Sequence, residues 1–200
     1  MNPSSIFGFI GTIIGLVRAL PQFIGVIRAQ KASGVSVDTT ATSSIVSFGW
    51  AAYGSLTNQP FVCLATGSSG IIFFLITIFS LRFGRTVKEF KVAPLWLCIL
   101  FLSYNLAGEN GLGLVLAVSI LAANIPQLWV AYKESNLSDL SLGTWLLSMS
   151  DGLVWGIYSY LQHDFSIMTF AFFQLSTSGM IVILKVSKSK RHGGYESKYP

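Results

Sequence analysis

Charge is what this chain has least of. Asp, Glu, Lys and Arg make up only 10% of its 200 residues, against about 25% in a soluble domain. That leaves too little polar surface to cover a water-facing globule. Cysteine is almost as scarce. Cys63 and Cys98 both lie inside apolar runs and read as small buried hydrophobes, not as a disulfide or a metal site. The two histidines, His163 and His192, are far apart and flank no ligand cluster, so no metal is expected. A Gly-rich phosphate loop, paired carboxylates and a Ser/His/Asp set are all missing. These absences point away from an enzyme and from any cofactor, and nothing calls for nucleic acid as a partner. No basic residue precedes the first apolar run, so the N-terminus does not read as a cleaved signal peptide, and the first helix is expected to be kept.

What is present is apolar and long. Hydrophobic residues make up 52% of the chain, gathered in runs that reach the roughly 20 residues a helix needs to cross a bilayer. Seven segments are expected: Ile6–Ile27, Thr40–Leu56, Phe61–Leu81, Val92–Ala107, Leu112–Tyr132, Leu142–Leu161 and Phe165–Val186. None alternates in polarity as a barrel strand would, so the fold class is all-α membrane protein.

Of the thirteen Lys and Arg, all but Arg18 lie outside these segments or, like Lys185, within a residue of their end. They follow segments one, three, five and seven, while the turns Thr57–Pro60, Gly108–Gly111 and Gln162–Asp164 hold none. Seven spans then place every flanking cation on one side, as the positive-inside rule requires of the cytoplasmic face. The expected topology is N-terminus outside and C-terminus cytoplasmic, in the plasma (cell) membrane. The basic tail 187–200 is expected to be disordered.

The chain also repeats itself. A shift of 105 positions lays Pro21-Gln22 on Pro126-Gln127, Ser33 on Ser138, Ser36 on Ser141, Thr39 on Thr144 and Ser43 on Ser148. Trp50 then meets Trp155, Tyr53 meets Tyr158 and Leu56 meets Leu161. Chance would match about one position in fifteen on average residue usage, and these nine identities fall within 36 positions without a gap. With one segment between the copies, both insert in the same orientation. The result is two parallel three-helix bundles joined by a linker helix (3+1+3), residues 6–86, 92–107 and 111–186.

Several residues in the spans can carry chemistry. Pro21 and Pro126 each remove a backbone donor and free a carbonyl, which the amide of Gln22 or Gln127 could meet. Either they only bend their helices, or, since the pair recurs in both copies, they form a hinge or gate. Arg18 and Asp151 are the only charges well inside spans, where charge is costly and marks a pathway or an internal pair; Arg18 also sits where it could snorkel. Ser148, Asp151, Trp155 and Tyr158 share one helical face, matched by Ser43, Val46, Trp50 and Tyr53. Two aromatic-lined faces, one with a carboxylate, suit a polar solute or a cation; packing and interface anchoring is the alternative. Gln174 falls on Ser69 in the repeat and is an amide among phenylalanines that needs a partner, as does Asn124. The candidate solute-binding set is Trp50, Tyr53, Ser69, Asp151, Trp155, Tyr158 and Gln174.

With both Pro-Gln motifs, the Ser-rich entry to the next helix and the Trp-x-x-Tyr at Trp50 and Trp155, the chain resembles the PQ-loop family. That family includes the SWEET sugar transporters, cystinosin and lysosomal cationic amino-acid exporters. The resemblance covers about residues 6 to 186. It implies two three-helix bundles, a linker helix and alternating access, with Pro21, Gln22, Pro126 and Gln127 as hinge residues. The sugar branch carries an asparagine in the third helix of each bundle, where this chain has Gly67 and Phe172. The expected function is a secondary transporter or facilitator of a small polar solute, a sugar or an amino acid, with proton coupling and a homo-oligomer both admitted. A non-transporting receptor or scaffold with the same fold is the alternative.

Overall fold

A computed structural model describes residues 2–32, 35–134, 137 and 140–196, the last seven of these by backbone alone. Ser33 and Ser138, one of the repeat pairs, and residues 197–200 of the expected tail lie outside the described residues. The described chain is helical: α1 (Pro3–Ala29), α2 (Val37–Leu56), α3 (Pro60–Arg82), a single 3-10 turn at Val87–Glu89, α4 (Ala93–Lys133), α5 (Leu142–Gln162) and α6 (Phe165–Glu196). It divides into two units, residues 1–116 and 117–200. In the first, α1 and α2 both pack on α3; in the second, α5 packs on α6.

Local chemistry sets these boundaries, and it does so twice. Ser36 caps α2 by accepting from the Thr39 N–H at 3.2 Å, and Ser141 caps α5 by accepting from Thr144 at 3.4 Å. At the far end Asn58 (φ 56°) and His163 (φ 54°) enter the left-handed region. The Gln59 and Asp164 amides then turn back to the carbonyls of Gly54 and Ser159, at 2.7 and 3.0 Å. Each of these pairs is separated by 105 positions, so the repeat seen in the residues is a repeat in the backbone. Pro60 sits in the first turn of α3, where its missing N–H costs nothing. Asp164 opens α6 by accepting from the Ile167 N–H at 2.8 Å.

Segments four and five fall in one run, α4, 41 residues long, interrupted where Ala107 (φ −139°, ψ 17°) and Gly108 (φ 59°, ψ −146°) leave helical geometry. Of the six helical runs, α4 is thus two helices that meet at a kink. The break is sharp, because a Cβ on Gly111 would lie 2.5 Å from the Ser103 carbonyl oxygen. Residues eight apart along a straight helix are separated by roughly 12 Å, so the chain folds back on itself here. Glycine at 108 takes the left-handed φ, and glycine at 111 lets the backbone approach. The end of the chain also departs from expectation, since α6 continues to Glu196, past the start of the tail expected at Ser187. No proline interrupts Ser187–Glu196, and Lys and Arg are good helix formers.

Among the described residues, four helices are long and apolar enough to cross a membrane: α1, α3, α4 and Phe165–Ser189 of α6. Helices α2 and α5 have 20 and 21 residues and carry hydroxyls along their length. Several of these return to nearby carbonyls of their own helix: Thr40 to Val37 at 3.1 Å and Thr42 to Asp38 at 2.8 Å, Ser150 to Leu146 at 3.0 Å and Ser159 to Gly156 at 2.8 Å. Hydrocarbon offers no water to a polar group, so this return bonding is what lets such a helix lie in lipid. Between helices, Ala19, Val26, Ile72 and Ile76 form the apolar contact of the first unit; Ala131, Leu137 and Ile181 form that of the second. Lipid tails are as apolar as these side chains, so close fit, not escape from water, holds them together.

Candidate functional site

The two Trp-x-x-Tyr pairs are built alike. A step of three residues on a helix brings both rings to one side. Trp50 and Tyr53 meet edge to face at 5.6 Å and 89°, and Trp155 and Tyr158 at 5.3 Å and 81°. All four are buried. Each unit thus assembles its own aromatic pair.

Around these pairs the units differ. In the second, Ser148, Asp151, Trp155 and Tyr158 are all buried along one face of α5. Asp151 is 4% exposed. Beside this face, Gln174 of α6 donates through Nε2 to the Ser148 carbonyl at 3.3 Å. Its Oε1 accepts from Asn124 Nδ2 at 3.2 Å, and the same Nδ2 donates to Thr177 Oγ1 at 2.7 Å. The amide that needed a partner has two, on α4 and α5. Such closeness requires Gly152, where a Cβ would lie 3.1 Å from the Leu175 nitrogen. Tyr158 Oη is fully buried and makes no hydrogen bond among the described residues.

The first unit lacks this network. Ser69, the repeat counterpart of Gln174, returns its hydroxyl to the Ala65 carbonyl at 2.9 Å. It does lie against α1, with its Oγ 3.4 Å from where a Cβ on Gly15 would be. Asn124 corresponds to Ala19, which packs in the apolar cluster instead. The polar links here join α2 to α3: Ser44 to the Gly70 carbonyl at 3.0 Å and Thr77 to Thr40 Oγ1 at 2.9 Å.

Pro21 and Pro126 lie within the helical runs of α1 and α4. Both prolines and Gln22 are exposed; Gln127 is half-buried. Neither glutamine amide makes a hydrogen bond among the described residues, so the freed carbonyls are not met in the expected way. Arg18 is exposed, one turn before Pro21.

Four further charged residues make contacts that were not foreseen. Asp38, in the first turn of α2, accepts from the backbone N–H groups of Lys91, Val92 and Ala93 at 2.9–3.0 Å, which ties the start of α4 to α2. Partial burial pushes its carboxyl up, but the three N–H groups and the Lys91 charge outweigh this and hold it below the usual carboxylate value. Arg85 donates from Nε to the Ala32 carbonyl at 2.9 Å. Lys185 and Lys188 donate to carbonyls at and beyond the end of α4. Only the charges themselves signalled these roles in the sequence.

A shallow groove of about 310 Å³ runs between α5 and α6, lined by Gly152, Gly156, Tyr160, Met168 and Phe172 among others. It is almost wholly apolar, so it offers a polar solute nothing to bind. No group of three or more His, Cys, Asp or Glu gathers to hold a metal among the described residues.

The fold is a known one. The chain is similar to a solved eukaryotic SWEET transporter, with a TM-score of 0.72 and 14% sequence identity, over 94% of this chain and 99% of that one. No protein-family model matches the sequence, and no curated protein matches it. At that identity the likeness establishes the architecture alone. Together with the four apolar helices it indicates a multi-pass membrane protein.

Proposed function

We propose that this protein is a secondary carrier or facilitator that moves a small polar solute, a sugar or an amino acid, across a membrane by alternating access. The observation that carries the reading is the SWEET transporter fold along nearly the whole chain, in a molecule whose two halves repeat each other down to their helix caps. Parallel repeats of this kind are one of the recurring designs of secondary transporters. In this reading the chain crosses the bilayer seven times, with each arm of α4 as one span, the N-terminus outside and the C-terminus cytoplasmic. The protein then belongs to the PQ-loop type and sits in the plasma membrane.

Trp50, Tyr53 and Ser69 of the first unit and Asp151, Trp155 and Tyr158 of the second contact the solute. Gln174 sits behind Ser148 and orders that face. Pro21, Gln22, Pro126 and Gln127 form the bending points. Asp151 favours a cationic or proton-coupled solute, because a buried carboxylate on the aromatic face of a span marks a cation or proton pathway. The test is solute flux in proteoliposomes made from the purified protein, across sugars and amino acids at two pH values. Saturable flux of at least one solute is expected; none with any of them would favour a receptor or scaffold on the same fold.

A further inference from the structure

Past the end of each Pro-Gln helix, a backbone carbonyl at the same place in the repeat accepts from a cation. Arg85 donates to the Ala32 carbonyl in the first unit, and Lys185 to the Leu137 carbonyl in the second. Residues 32 and 137 are 105 positions apart, while the donors come from non-equivalent positions: Lys185 corresponds to Ser80, not to Arg85. In the second unit the hold extends further. Lys188 Nζ donates to the carbonyls of Ala131 and Tyr132, each at 2.8 Å, and of Glu134 at 2.5 Å. An ammonium group has three N–H donors, so these bonds match its capacity. Ala131 and Tyr132 supply two of the final carbonyls of α4, at the negative end of the helix dipole, and Glu134 the first one beyond it.

Pro126 lies five residues before Ala131. The arm of α4 beyond the proline is therefore the stretch that would swing if the helix bent there, and Lys188 pins its end to α6. Bending at Pro126 must either carry the end of α6 along or break charge-assisted bonds, which are stronger than neutral ones.

We propose that Lys185 and Lys188 form a latch that holds the arm of α4 beyond Pro126 onto α6 and thereby controls bending at that proline. This rests on the hinge role given to Pro126 above. Lys185 and Lys188 are positioning residues in this scheme and need not touch solute. It also makes the end of α6, through Ser189, part of the moving machinery.

The experiment is a distance measurement between pairs of nitroxide labels in the full chain, in a background lacking Cys63 and Cys98. One pair, at Lys133 and Ser189, lies beyond the proline and its latch; a control pair at Val118 and Phe172 lies before them. The parent should give narrow distributions for both pairs. Lys185→Met with Lys188→Met should broaden or lengthen the first by about one helical turn, roughly 5 Å, and leave the control unchanged. Arginine at both positions should preserve the parent distances, and Pro126→Ala added to the methionine variant should narrow the first pair again.

The proposal is overturned if removing both lysines leaves the first pair unchanged. It is also overturned if the broadening persists with Pro126→Ala, since the lysines would then only cap a loose loop. If broadening of both pairs shows that the double variant has lost its fold, Lys185→Met alone is read by the same criteria. No solute enters these measurements, so an absence of flux would sink the transport reading and leave the latch standing.

Discussion

Asn124 Nδ2 and Gln174 Oε1 meet at 3.2 Å, both residues buried, between α4 and α6. The bond links α4 to α6 close to Pro126, and Thr177 shares the donor at 2.7 Å. Asn124→Ala removes the donor and leaves the Gln174 oxygen without it in a site that water does not reach. The expected loss is about 1–2 kcal/mol, read as a lowered midpoint in thermal or denaturant unfolding in detergent. Asn124→Leu combined with Gln174→Leu should cost less than the sum of the two single changes. Additive losses would show that the two amides are not coupled.

Asp38 gives a pH dependence with a definite sign. Its carboxyl is held below its unfolded value of roughly 3.9. Its contribution is therefore fully present above about pH 4 and is lost as pH falls through the lower folded value. Protection of the Lys91, Val92 and Ala93 amides against hydrogen exchange should fall in that acid range. In Asp38→Ala it should be low at every pH. Equal protection in parent and variant at neutral pH would refute the clamp.

The topology is checked by cysteine labelling from outside intact cells, in a background without Cys63 and Cys98. Single cysteines at Asn58, Asn110 and His163 should react with an impermeant reagent, and those at Lys31, Lys88 and Lys133 should not. The reverse pattern would invert the assignment, and labelling of both groups would refute the seven-span count.

Asp151→Asn keeps the side-chain shape and removes the charge. The variant is expected to fold and reach the membrane yet to lose pH-dependent or cation-dependent uptake, measured as initial rates across a pH series. An uptake profile superimposable on the parent would reduce Asp151 to a packing residue beside Ser148.

What could be read from the sequence was the part set by neighbouring residues. The spacing of Ser36 and Thr39, repeated at Ser141 and Thr144, specifies a helix cap; the Trp-x-x-Tyr spacing specifies two rings that meet edge to face. Both sit where the 105-residue shift puts them. The break between segments four and five was legible too, since the turn expected at Gly108–Gly111 begins where Ala107 and Gly108 leave helical geometry. Asp38, Asn124 and Lys188 find partners about fifty residues away or more. Those pairings depend on which helix faces are packed together, and a single chain's periodicity says only which faces are apolar. Gln174 shows the limit well: its need for a partner was evident, but Asn124 and the Ser148 carbonyl were not.

The acceptors at Ala32 and Leu137 are main-chain carbonyls, and every residue type supplies one. If the two halves descend from one duplicated ancestor, substitutions at those positions cost the contact nothing, and alanine has parted from leucine without losing it. The donor has had comparable liberty, since any long cationic side chain rooted within reach will serve, and it has settled in a loop in one half and on a helix in the other. Comparing the halves letter by letter therefore misses this contact, although both keep it. Searches for distant kin of this chain would do better to ask whether a cation lies within reach of that carbonyl than whether a particular residue recurs.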